Sequence, residues 1–165
     1  MDMQRAAPRT HSHGPVIGWL GTSPSPAIEI TTLLSRHGYQ LRPASPDAAA
    51  SYPLILIDCQ QCTASGTRQY LAQLVQLAPH SAVALIGAPA RGPHEQLISC
   101  PLVKGIFPGE GHDDHLLKGI RALLAGENWF SRRILDDWLN RQRTSISLTP
   151  MPVMEPGLTE RERQI

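Results

Sequence analysis

Across residues 16–124, short apolar runs alternate five times with segments of helical character, and this alternation narrows the fold more than any other feature. Val16–Leu20 is a run of this kind, closed by Gly21 and a Ser/Pro cluster. Residues 39–42 make a weaker one. Leu54–Asp58, reading LILID, is uniformly apolar up to its terminal carboxylate, and residues 82–86 and 103–107 complete the set. Uniform apolarity suits strands buried on both faces, and helical crossovers between successive strands make them parallel. The expected fold class is therefore α/β, a five-stranded parallel doubly wound sheet. Such a sheet carries functional groups at the carboxyl ends of its strands.

The intervening segments predict helices. Ser23 caps the first, which has Pro24 in its first turn, Ile28, Leu33 and Leu34 on its inner face, and Gly38 as its stop. Residues 67–78 follow, with Leu71, Leu74, Val75 and Ala78 inward, then a short helix over 94–99 and a longer one over 112–124. Asp113 and Asp114 suit the positive start of that longer helix. An additional sixth helix spans residues 131 to about 142, with an apolar stripe of Ile134, Leu135, Trp138 and Leu139.

A chain of 165 residues has room for one domain with tails. Residues 1–14 read as a flexible polar arm holding Arg5, Arg9, His11 and His13, and 143–157 as a linker rich in Ser, Thr, Pro and Met. A formal charge of +1 argues against a wholly basic nucleic-acid binder and excludes a polyacidic tail. No apolar run is long enough to cross a bilayer, and the amino terminus lacks the apolar core of a secretory signal, so a cytoplasmic location without membrane contact is expected. An odd count of three cysteines argues against a disulfide scaffold.

The segment Trp129-Phe130-Ser131-Arg132 gathers an aromatic wall, a hydroxyl, a guanidinium and the start of the sixth helix within one turn. That combination fits a planar anionic ligand. A guanidinium can stack on a guanine, pair with its O6 and N7 edge, or hold a phosphate. The free N–H groups of a first helical turn attract anions. The same residues also describe a plain helix start. Phe130 before the cap and Leu135 five residues on match a hydrophobic staple, Trp129 seals the junction between the fifth and sixth helices, and Arg132 and Arg133 are solvated.

With Asp58 ending the third strand, the chain resembles a receiver domain of the flavodoxin/CheY-like fold, of the kind found in LuxR/FixJ-type response regulators. There the position of Asp58 is the phosphoacceptor. The residues 158–165, Leu-Thr-Glu-Arg-Glu-Arg-Gln-Ile, resemble the start of that family's helix-turn-helix domain, and Thr159 with Glu162 forms a capping box. Phosphorylating receivers also place an acidic pair after the first strand, a hydroxyl after the fourth and a lysine at the end of the fifth. Here those places read Gly21-Thr22-Ser23, Gly87-Ala88 and Phe107-Pro108-Gly109, while Lys104 lies at the start of its strand. Asp58 is accordingly read as a vestigial phosphoacceptor that makes at most a local hydrogen bond.

The stretch 103–139 is similar to the VpsT/CsgD subgroup, whose receivers are degenerate and carry the sixth helix. VpsT-like members bind cyclic di-GMP through Trp, then Phe, Leu or Met, then Thr or Ser, then Arg, which Trp129, Phe130, Ser131 and Arg132 satisfy. The resemblance implies a degenerate receiver over 15–142 that is not an enzyme and needs no resident cofactor or metal. It implies that this receiver senses cyclic di-GMP, forms a ligand-promoted homodimer and serves a regulator of biofilm matrix genes. DNA would be read by the helix-turn-helix domain begun at 158–165, expected to be truncated here, so this chain is expected to bind DNA negligibly. Two other readings stand beside it: a receiver that dimerises without ligand, and a thiol redox or metal protein built on Cys59 and Cys62, a CxxC after the third strand.

Overall fold

The computed structural model describes residues 14–22, 24–109 and 111–146. The expected cap Ser23, most of the arm, and residues 147–165 with the capping box lie outside them.

Five parallel strands form one sheet in the order β2-β1-β3-β4-β5. They are β1 (Val16–Leu20), β2 (Gln40–Pro43), β3 (Leu54–Asp58), β4 (Ala82–Ala88) and β5 (Val103–Pro108). The central β3 is buried along its whole length and in register with β1 and β4, as its uniform apolarity requires. Its side chains alternate between two cores. Ile55 and Ile57 enter one, and Leu54 and Leu56 the other.

Helices α1 (Pro24–Arg36) and α3 (Asp113–Leu124) cover the second core through Ile30, Leu34, Leu117, Ile120 and Leu123. Helix α2 (Ala64–Leu77) covers the first through Leu71 and Leu74, together with two 3₁₀-helices, Pro46–Ser51 and Pro93–Ser99. The crossovers before β3 and β5 are thus short 3₁₀ turns opened by prolines, the first falling where no helix was expected. The sixth helical segment is α4 (Arg132–Ser145), which lies against the 3₁₀-helix Pro93–Ser99 and runs three residues past the expected helix end, into the expected linker.

Several inward assignments are corrected. Ile28 is 64% exposed, because six residues turn a helix through roughly 240° and carry it away from Leu34. Val75 lies at the edge of the stripe formed by Thr67, Leu71, Leu74 and Ala78, and is largely exposed. On α4 only Ile134 is fully buried, while Leu135 and Leu139 stand more than a quarter turn round the helix and are 39% and 44% exposed. Helix α2 begins at Ala64, earlier than expected, because the Thr63 hydroxyl accepts the Gly66 N–H at 3.1 Å and caps it. Gly38 ends the turn after α1 as expected, at φ +83°.

Candidate functional site

The segment before α4 straddles the edge of the sheet. Trp129 forms an isolated parallel bridge with Gly105. Its N–H donates to Lys104 O at 2.7 Å, and its carbonyl accepts from Ile106 N at 3.0 Å. Successive side chains of an extended segment point to opposite faces. Trp129 therefore packs into the core under α1 and α3, whereas Phe130 and Ile134 join the core under α2. Both aromatics are half-buried. The Trp129 ring meets the His115 ring of α3, centroids 5.1 Å apart. The ring thus packs between α3 and β5. Phe130 turns inward, as expected.

Ser131 is the N-cap of α4, its hydroxyl accepting the Ile134 N–H at 3.3 Å. It is exposed, so the hydroxyl proton is free to be donated outward. The Arg132 side chain is 96% exposed, and among the described residues its one ion-pair partner is Asp136, at 4.0 Å one turn on. A pair of this kind contributes little and is readily exchanged for a ligand. The site thus stands on the β5 edge, near the strand's amino end, and not at the carboxyl ends of the strands.

Arg133 is a different case. Its guanidinium bridges Glu95 of the 3₁₀-helix Pro93–Ser99 and Asp137 one turn on, with 3.1 Å contacts to Glu95 Oε2 and Asp137 Oδ2. Glu95 is buried and also accepts the Arg91 N–H at 2.8 Å. Arg133 is therefore a clamp holding α4 to the domain, and it is not available as an added ligand contact. The hydrogen bonds from Arg133 hold the Glu95 carboxyl below the usual glutamate range. A depressed folded-state value contributes stability that is complete above the ordinary glutamate range and is lost as pH falls through the folded value. Acid titration should therefore release α4, read by the fluorescence of Trp138, and Glu95→Gln should flatten that limb. An unchanged acid limb in Glu95→Gln would show that the clamp is not what titrates.

At the opposite end of the sheet, Asp58 is 2% exposed, and one of its oxygens accepts the Gln60 N–H at 3.0 Å. It faces a cavity of about 460 Å³ lined also by Gly21, Thr22, Gln61, Cys62 and Tyr70. Among the described residues of that lining, Asp58 is the one carboxylate. A Cβ at Gly21 would stand 2.8 Å from the Asp58 Cβ and 2.7 Å from the Trp19 ring nitrogen, so an acidic side chain cannot be placed there without rearrangement. Gly87, at φ +71°, lies beneath the Gln60 side chain.

No family model and no curated protein matches this sequence. Solved structures do. The regulatory domain of the master biofilm regulator CsgD superposes with a TM-score of 0.63 at 15% identity, over 76% of this chain and 98% of that one. A LuxR family DNA-binding response regulator from Silicibacter pomeroyi gives 0.55 at 22%, over 73% and 99%. A two-component response regulator of the LuxR family from Aurantimonas sp. SI85-9A1 gives 0.62 at 14%, over 78% and 98%. This chain has the receiver fold.

Three of the side-chain places that the resemblance singles out are filled differently here. Gly21 and Thr22 stand where the resemblance expects acids, Gly87-Ala88 where it expects a hydroxyl, and Lys104 is exposed at the far end of β5. Among the described residues, no group of three or more His, Cys, Asp or Glu is placed to hold a metal ion. No helix among them is long and apolar enough to cross a membrane. His112 caps α3 through its backbone, and Asp113 and Asp114 are solvated in its first turn.

Of the CxxC pair, Cys59 is not a reactive thiol. Cys59 is 3% exposed, bonded to Thr67 Oγ1 at 3.9 Å, and burial pushes its thiol up to about 12. A thiol held protonated is a poor nucleophile and a poor metal ligand. Cys62 is half-buried and free. Thiol titration with an aromatic disulfide at pH 8 is expected to modify Cys62 and Cys100 readily, and Cys59 only after unfolding; rapid labelling of Cys59 in the folded chain would contradict this.

Two residues escaped sequence reading. Glu95 lies 38 positions from Arg133, and nothing local signals the pair. Gly119 did leave a signal, since a lone glycine within a helical pattern usually answers to packing. A Cβ there would stand 2.7 Å from the Trp129 ring nitrogen, with the Phe107 ring closer still.

Proposed function

We propose that this chain is the regulatory receiver of a LuxR-type transcription regulator, and that it senses cyclic di-GMP in place of a phosphoryl group. The observation that carries the reading is the split between two adjacent arginines. Arg133 is consumed by Glu95, while Arg132 stands 96% exposed beside an anchored tryptophan and the open first turn of α4. Arg132 takes the guanine edge or a phosphate, Ser131 donates to a phosphate, and the exposed part of Trp129 walls the base. Phe130 serves the core and fixes the backbone of the motif.

A ligand with two-fold symmetry, held by one exposed arginine per chain, brings two chains together about its own axis. Ligand then shifts a monomer–dimer equilibrium by favouring one state. The likeness to the regulatory domain of a master biofilm regulator suggests biofilm matrix genes as the output. DNA contact would fall to a helix-turn-helix domain beginning near residue 158.

Calorimetric titration of cyclic di-GMP into the chain, with sedimentation in parallel, tests this. Saturable heat together with a shift to dimer is expected, and GMP should be silent. A dimer present without ligand, and no heat on titration, would favour the ligand-independent reading. A specific observation keeps that reading in play: Leu135 and Leu139 leave an apolar stripe exposed on α4.

A further inference from the structure

Helix α3 carries a glycine at its middle, where alanine would favour the helix more strongly. Gly119 is buried, so the missing side chain is not a matter of solvent exposure. Its φ is not left-handed either, the positive-φ glycines among the described residues being Gly38, Gly87 and Gly126. Two rings take the place of the side chain: that of buried Phe107 lies nearest, and Trp129 Nε1 would lie 2.7 Å from a Cβ at position 119. His115, one turn earlier on α3, closes the notch, its ring 5.1 Å from that of Trp129 and 6.4 Å from that of Phe107. Phe107 is buried in the core and Trp129 packs against it, so room for a Cβ must come from displacing a ring.

We infer that Gly119 is a positioning residue of the nucleotide site and that Trp129 acts chiefly as the peg seated in its notch. The inference rests on the cyclic di-GMP reading and deepens it. The peg and the two backbone hydrogen bonds to β5 fix residue 129, three positions before Arg132. The Arg133 clamp fixes the other side. Between these two holds, the Ser131 cap and the Arg132 stem have one orientation before ligand arrives, which is the preorganisation a binding site needs. The notch on α3 belongs to the site although no atom of Gly119 meets the ligand.

Gly119→Ala tests this, with α3 itself favoured by the added helix propensity. Two readouts are taken on the whole chain: the indole N–H resonance of Trp129, assigned through Trp129→Phe, and calorimetric affinity for cyclic di-GMP. Gly119→Ala is expected to move that resonance and to weaken binding roughly tenfold or more, as a loosened supporting shell does. Arg132→Ala should weaken binding by roughly 10- to 100-fold and leave the resonance where it is. Leu74→Val, in the opposite core, should lower the unfolding midpoint and change neither readout. A Gly119→Ala chain that binds like the parent with the resonance displaced overturns the inference, and so does an unmoved resonance. A parent that takes no cyclic di-GMP overturns the functional reading by itself, and the resonance then decides the notch alone.

Discussion

Arg132→Ala is expected to weaken cyclic di-GMP binding by roughly 10- to 100-fold, corresponding to the ~1–3 kcal/mol of a bidentate contact to a guanine edge. Thermal stability should not change. The Arg132 side chain is 96% exposed and pairs with Asp136, and an exposed pair of that geometry contributes roughly 0.5 kcal/mol or less. Affinity and stability thus separate at this residue. Calorimetry on the variant beside a melting curve checks both. A fall in affinity matched by an equal fall in stability would mean that Arg132 supports the helix and not the ligand. Arg132→Lys is expected to recover only part of the affinity, because an ammonium lacks the planar fork.

Trp129→Ala should act on both quantities. The indole is half-buried, packed on His115 and seated over Gly119, so its loss leaves a hole between α3 and β5. Truncating a buried tryptophan costs about 3–5 kcal/mol, and the partial exposure of Trp129 places the expected cost near ~3 kcal/mol. The unfolding midpoint should fall by roughly 10 °C for a domain of this size. Binding should be lost with it, because the peg that orients Ser131 and Arg132 is gone. Trp129→Phe keeps a ring in the notch and should retain most of the stability. If Trp129→Ala melted like the parent, the packing described for this side chain would be wrong.

The strands were legible because burial on both faces leaves a plain mark: Leu54–Asp58 and Val16–Leu20 were read with their observed ends. Helical faces were less so. Val75, Leu135 and Leu139 continue apolar rows that the sequence cannot distinguish from the row that meets the sheet, and only the placement of α2 and α4 decides which row is covered. Ile28 is a plainer miss, since its spacing from Leu34 does not keep it on one face. The start of α4 was readable from Ser131, a good cap before an apolar stripe, and the structure keeps that cap. The division of labour between Arg132 and Arg133 was not readable. It depends on Glu95, brought alongside by the fold from 38 positions away.

The bridge between Trp129 and Gly105 has a practical corollary. Four letters in a row look like something that can be lifted out and transplanted, yet here they are half of an assembly whose other half is a strand, a glycine and an imidazole. A synthetic peptide spanning residues 127–146 would contain every letter and have neither the edge to lie along nor the notch to fill. Grafted onto an arbitrary helix, it would be equally mute. Pattern searches for this motif should therefore pair the four letters with a glycine ten positions upstream, since it is that pairing, and not the tetrapeptide, which the fold makes into one object.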